Sequence, residues 1–265
     1  MRGTGAVMYT DAIVRKPGNA FINGLTTSGL GKPDLSLALE QHRTYVAALE
    51  HCGLRVTVLE ADERFPDSTF VEDTAILTGR FAVMTNPGAE SRNGEKDAIR
   101  PEIEKFYSSI EEINQPGTLD GGDVMEINGH YYIGITDRTN ADGARRLTAV
   151  LKRNGRTGST VPLKSFLHLK TGVSWIGGGD LLAAGELIDN PAFRDFNIIP
   201  VSPDEAYAAN CIRVNDYLII PAGFKKTGQA LRRRGYRLLE VEMSEFQKMD
   251  GGVSCLSLRF RSALI

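Results

Sequence analysis

PGTLDGGDVMEINGHYYIG (116–134) places a polar, glycine-bearing loop directly ahead of a hairpin. Its Asn128-Gly129 pair is a strong two-residue turn signal between two runs of alternating apolar residues. A helix from about Lys96 to Tyr107 and the short strand IEEINQ lead into this stretch, and the helix ADGARRLTAVLKRNG (141–155), capped by Asn140, leaves it. The order recurs in both directions. Upstream, DLSLALEQHRTYVAALEHC (34–52) repeats apolar positions at Leu35, Ala38, Leu39, His42, Val46 and Leu49, with Asp34 as N-cap and Gly53 as terminator. It leads to the strand LRVTVLE, the loop ADERFPDSTFVED and the strand pair TAILT and RFAVMT. Downstream come STVPL, KSFLHLKTG and strands around VSWI and LLAAG, then NIIPV, SPDEAYAANC and IRVNDYLIIPAG. A helix at 226–235, YRLLEVE, SEFQKMDGG and VSCLSLRF make the last passage.

Five strand–loop–hairpin–helix units imply an α/β fold closed as a propeller, since each unit needs neighbours to cover its apolar faces. The fifth unit lacks a strand after Phe260, and AVMYTDAIV near the N-terminus is expected to supply it. One domain over 1–265 follows. A doubly wound sheet is the rival, but no glycine-rich dinucleotide turn joins a strand to a helix. GLTTSGLGKP (24–33) lacks phosphate-loop spacing, with Pro33 where Ser or Thr belongs.

A formal charge of −2 offers no broad basic field, so nucleic acid is not an expected partner. No run of 18 apolar residues occurs, so no spanning helix is expected, and Thr10 and Asp11 interrupt any apolar leader. Cys52, Cys211 and Cys255 form no CxxC pair, which argues against a disulfide framework or a thiolate zinc site and suits a reducing, cytoplasmic setting. No cofactor and no metal are expected. A homodimer is the assembly left open.

Ring closure would bring the five loops to one end. They carry Asp67, Glu72 and Asp73; Asp120 and Asp123; His168; Asn210 and Cys211; and Asp250 and Cys255. A thiol, an imidazole and many acids at one mouth suit a cationic substrate. Cys255 follows the glycine pair of MDGGVS and is expected to begin a strand, although most single cysteines are small core residues. His168 is the one histidine on a loop of this mouth; His42, His51 and His130 read as packing or solvent residues. Asp120 can orient and charge the imidazole as the third member of a nucleophile–base–orienter set, while ordinary turn chemistry explains the same Asp-Gly-Gly-Asp.

FPDSTFVED, PGAESRNGE, PGTLDGGD, YIGITDRTNADGA, LHLKTG, AANC and MDGGVSC, in this order from about Ile13 to Phe260, closely resemble the bacterial dimethylarginine dimethylaminohydrolases, guanidino-modifying enzymes whose fold is the five-bladed α/β propeller called the pentein. The resemblance implies Cys255 as nucleophile, His168 as general acid/base and Asp120 as its supporting acid, where some members have Glu. It implies that Asp73 and Glu72 hold the guanidinium, that Asp67 lies near the substrate amine, and that Arg92 and Arg138 grip the α-carboxylate. Leu25, Met249 and Asp250 match substrate-touching positions. The implied reaction hydrolyses N-ω-methylated L-arginines to citrulline and an alkylamine through a covalent thiouronium, with a small guanidinium amino acid as the partner. Arginine deiminase, longer by a helical insertion, is the rival enzyme. Agmatine deiminases need no carboxylate clamp. A non-catalytic pentein resembling translation initiation factor six, a binding module, lacks the Cys/His pair.

Overall fold

The computed structural model describes residues 8–262. Among the described residues, fifteen strands form five sheets of three. In each sheet an antiparallel pair supplies the first two strands, a hairpin in four of the five, and a third strand lies parallel to the middle one. Four sheets are consecutive in the chain: β3 (Ala75–Leu77), β4 (Ala82–Met84) and β5 (Ile110–Glu112); β6 (Val124–Ile127), β7 (His130–Ile135) and β8 (Thr157–Pro162); β9 (Val173–Gly177), β10 (Asp180–Ala183) and β11 (Asn197–Pro200); β12 (Ile212–Val214), β13 (Tyr217–Pro221) and β14 (Arg237–Val241). The fifth joins the chain ends: β15 (Leu258–Phe260) pairs antiparallel with β1 (Asp11–Arg15), and β1 runs parallel to β2 (Arg55–Leu59). The N-terminal segment is therefore the middle strand of that blade. Ala6 and Val7 of the expected strand, and residues 263–265, lie outside the described residues.

Local chemistry sets the elements as read. Asp34 caps α1 (Leu35–His51) by accepting the Leu37 N–H at 3.0 Å, and Gly53 takes φ 91° just beyond it. Asn140 accepts the Gly143 N–H at 2.8 Å at the start of α3 (Ala141–Arg153). Asn128 and Gly129 both have positive φ, 52° and 84°, as the tight hairpin requires. The helix face of α1 differs in part from its apolar spacing: Gln41 and Tyr45 are buried with Ala38, His42 and Leu49, whereas Leu35, Leu39 and Val46 are half-buried. Tyr45 reaches across to Ser257, its hydroxyl 2.6 Å from Oγ, so the ring's last blade selects it.

The repeat in the sequence is offset from the sheet by one strand, because the strand after each helix pairs back onto the preceding hairpin. α1, α2 (Glu95–Ile103), α3 and α5 (Lys225–Arg233) each make such a crossover in four blades. The fifth helix expected of the repeat is absent among the described residues. Between β10 and β11 run two short 3₁₀ turns, Gly185–Leu187 and Pro191–Phe193, where a proline and a positive-φ glycine at 185 leave no room for a longer α-helix. The first strand of every blade faces a central channel of about 160 Å³. The five interblade loops pack against one another at one end, through their short helical turns Val71–Thr74, Gly121–Asp123, α4 (Leu169–Gly172), Pro203–Ala209 and Ser254–Leu256.

Candidate active site

Beneath the loop end, Phe21, Phe70 and Phe246 pack as an aromatic trio with centroids 5.5–6.4 Å apart. Phe70 belongs to FPDSTFVED, and Phe246 lies in α6 (Ser244–Gln247), which feeds Met249 and Asp250. The trio thus anchors two site loops to the core. Gly251 fits only because it lacks a Cβ, which would lie 2.2 Å from the Phe70 ring.

A cavity of about 180 Å³ opens above this trio, and Leu25, Asp67, Asp73, Arg92, Arg138, His168, Met249, Asp250 and Cys255 all line it. Cys255 sits in the turn Ser254–Leu256, ahead of β15 rather than inside a strand. Its placement there aims the sulfur at the backbone: Gly252 N–H donates to Sγ at 3.3 Å. His168 Nε2 lies 3.1 Å from Asp120 Oδ2, and Asp120 Oδ1 accepts the Gly88 N–H at 2.8 Å. Asp73 Oδ1 accepts the Gly122 N–H at 2.8 Å, which leaves the carboxylate pinned beside the imidazole. Gly122 is obligatory at this junction, since a Cβ there would meet the His168 ring at 2.8 Å and Asp73 Oδ1 at 2.9 Å.

Arg92 is buried. Its Nη1 donates to Asp73 Oδ2 at 2.6 Å and its Nη2 to the Phe70 carbonyl at 3.0 Å, while Glu95 takes Nε and Nη2. Arg138, half-buried, makes no side-chain hydrogen bond among the described residues, so its fork is the one open to an anion. Asp67 accepts the Leu25 N–H at 3.1 and 3.3 Å, and Asp250, with φ 57°, accepts the Thr27 N–H at 2.5 Å. These contacts, with Thr26 and Ser28 hydroxyls on the Lys248 carbonyl at 2.7 Å, hold the 24–30 segment across the cavity mouth.

Glu72 is placed differently from its neighbour Asp73. It lines the central channel, where its carboxylate accepts Lys170 Nζ at 2.7 Å, Ser254 Oγ at 2.7 Å and Arg259 Nη2 at 3.3 Å. It forms part of the wall behind Cys255. Cys211 also faces the channel and not the cavity, with its N–H on Ser174 Oγ at 3.1 Å. Asn210 braces the loop that carries Cys255 by accepting the Ser254 N–H at 2.8 Å. Asp123, fully buried, accepts the Leu169 N–H at 2.9 Å and so fixes the backbone that carries His168.

The electrostatics follow from this crowding. Burial would lower the His168 pKa, but Asp73, the Asp120 hydrogen bond and Asp123 overcome it and raise the value to about 9. Burial pushes the Cys255 thiol up to about 12, with Glu72 and Asp73 adding to the push. Burial raises Asp67 and carries Asp123 to about 6; for Asp73 it is outweighed by His168 and Arg92, which hold that carboxyl well below its usual range. At neutral pH the cavity thus holds a thiol and an imidazolium. Asp73, Asp120 and His168 converge closely enough to suggest metal ligands, yet Arg92 and Gly122 already engage Asp73 and His168 engages Asp120.

Residues 18–258 match the family model described as N,N dimethylarginine dimethylhydrolase, eukaryotic. The N(G),N(G)-dimethylarginine dimethylaminohydrolase of Pseudomonas aeruginosa is 50% identical over 96% of this chain and 100% of that protein. The chain belongs to the dimethylarginine dimethylaminohydrolase family. The Streptomyces coelicolor dimethylarginine dimethylaminohydrolase is 36% identical over 94% of this chain and 96% of its own length. A solved Pseudomonas aeruginosa family member, a cysteine-to-serine mutant complexed with citrulline, superposes with a TM-score of 0.94 at 50% identity, covering 96% of this chain and 100% of the other. The N-terminal domain of cyanobacterial ArgZ shares the fold alone, at a TM-score of 0.86 and 19% identity over 95% of this chain and 98% of that one. The pentein propeller expected from the sequence is thus the family's fold.

Sequence reasoning passed over Glu95, Lys170 and Ser254. Glu95 lies inside PGAESRNGE, three residues after Arg92, and that spacing at a helix start was the available signal. Lys170 and Ser254 meet Glu72 from distant blades, and nothing in their local sequence marks them.

Proposed function

We propose that this chain hydrolyses N-ω-methylated L-arginines, asymmetric dimethylarginine and monomethylarginine, to L-citrulline and an alkylamine. The observation that carries the reading is that a thiol, Cys255, and an imidazole oriented by a buried carboxylate share one acid-walled cavity. Asp73 faces the guanidinium and fixes its plane, and the cation favours loss of the Cys255 proton to solvent. The thiolate adds to the guanidinium carbon. As the carbon–nitrogen bond breaks, the His168 imidazolium gives its proton to the departing amine, leaving a thiouronium on Cys255. His168, now neutral, takes a proton from water as that water attacks the same carbon; the carbon–sulfur bond then breaks, the remaining hydroxyl proton passes to the departing sulfur to restore the thiol, and citrulline leaves. Asp120 keeps the imidazole turned toward this chemistry throughout.

Arg138 takes the α-carboxylate, with Arg92 behind it, and Asp67 with the Leu25 backbone lies near the amine. Met249 and Asp250 close the mouth, and Glu72 supports the guanidinium pocket from the channel side. The five blades serve as one catalytic domain. No helix among the described residues is long and apolar enough to cross a membrane. Three free cysteines support a reducing, cytoplasmic setting.

Citrulline release from dimethylarginine, monomethylarginine, arginine and agmatine at one pH tests the reading. Dimethylarginine and monomethylarginine should lead. Agmatine, without a carboxylate for Arg138, should fall by roughly two to three decades in kcat/KM. Arginine at or above dimethylarginine would make the enzyme a deiminase.

A further inference from the structure

Glu95 opens α2 directly behind Arg92 and outside the cavity lining. Its two carboxylate oxygens accept Arg92 Nε at 3.0 and 3.1 Å, and Oε2 also accepts Nη2 at 2.7 Å. On the opposite edge of the same guanidinium, Nη1 donates to Asp73 Oδ2 at 2.6 Å. Both acids are 3% exposed and Arg92 is 5% exposed, so water does little to screen them. Two buried cations, Arg92 and the His168 imidazolium, therefore serve three buried carboxylates, Glu95, Asp73 and Asp120. Excess buried negative charge is costly unless a cation or a proton relieves it. The Glu95 carboxyl registers the crowding: burial raises its pKa, Arg92 opposes the rise, and Asp67 and Asp73 add to it.

We propose that Glu95 is a positioning residue that holds Arg92 from behind and divides its charge, so that the Asp73 carboxylate stays available to the substrate guanidinium. The inference rests on the reading of Asp73 given above. Arg92 placed with Asp73 alone would form a complete buried ion pair, and the incoming guanidinium would have to compete with it. Glu95 draws three of the arginine's hydrogen bonds toward α2 and leaves Asp73 with one. The excess charge is thereby kept on the cavity side, where a cationic substrate neutralises it.

Glu95→Gln keeps the shape and removes the charge. Steady-state kinetics on dimethylarginine and on its decarboxylated analogue, dimethylagmatine, should show KM for dimethylarginine raised about tenfold with kcat within about threefold. The fall in kcat/KM should appear with both compounds, because they share the guanidinium. Glu95→Asp, charged but too short for the two-oxygen grip, should raise KM by a smaller factor, at least about threefold, and it decides the matter if the Gln variant does not fold. Wild-type KM in the folded variants would overturn the proposal. So would a loss confined to the carboxylate-bearing substrate, which would mean that Arg92 acts on the carboxylate and not through Asp73. Failure of the wild-type protein to release citrulline would instead strike the functional reading itself.

Discussion

The resting thiol should ionise only when a cation arrives, and the structure sets the size of the effect. With the Cys255 pKa pushed up to about 12, only ~10⁻⁴ of the sites carry a thiolate at pH 8. A guanidinium about 4 Å from the sulfur, at an effective dielectric constant near 20, stabilises the thiolate by about 4 kcal/mol. That is about three decades in the proton equilibrium, which brings about a tenth of the sites to thiolate at pH 8. Citrulline has the same skeleton with a neutral ureido group and should leave the thiol protonated. Thiolate absorbance near the ultraviolet edge, titrated with pH for the enzyme alone, with L-arginine and with citrulline, reads the difference. Cys255→Ser, titrated in parallel, removes the contributions of Cys52, Cys211 and the tyrosines. Thiolate on the free enzyme below pH 8, or equal effects of L-arginine and citrulline, would refute the reasoning.

Cys255→Ser should abolish citrulline formation with an unchanged melting temperature, and Cys211→Ser, whose thiol faces the channel, should keep most of it; a dead Cys211 variant would reverse the assignment. Gly122→Ala should lower kcat/KM more than about tenfold by displacing His168 or Asp73, at a stability cost of about 1–3 kcal/mol, while Gly79→Ala, with no atom within 4 Å of the new Cβ, should be neutral in the same assays. His168, with its folded pKa raised to about 9, should contribute stability that is fully present below its unfolded value of roughly 6.5 and is lost as pH rises through 9. Denaturant unfolding of wild type and His168→Ala across that window should show the loss in the wild type only. Mass spectrometry of the same variant after exposure to a substrate analogue with a methylthio leaving group, which departs without a proton from His168, should reveal an adduct on Cys255, because no other histidine lines the cavity to assist its hydrolysis.

Much of the fold is written in local chemistry. The Asp34 and Asn140 caps, the terminating Gly53 and the Asn128-Gly129 turn need only near neighbours, and each forms where the residues place it. Their regular recurrence is what made a closed ring legible, along with the loop end that gathers Cys255, His168 and Asp120. The missing helix between β10 and β11 shows the limit of reading a repeat, for Pro191 and the backbone at Gly185 override the pattern of the other blades. Side-chain direction was not legible at all where partners come from distant blades. Glu72 and Asp73 are adjacent in sequence, yet Lys170 and Arg259 turn one into the channel while Arg92 and Gly122 hold the other at the cavity. Arg92 and Arg138 look alike as lone arginines, and the contacts with Asp73 and the Phe70 carbonyl, added to Glu95, bind the first and leave the second open. Protonation states were likewise decided by the ring, because burial and the convergence of acids from separate loops, which raise both the thiol and the imidazole, exist only once the blades have closed.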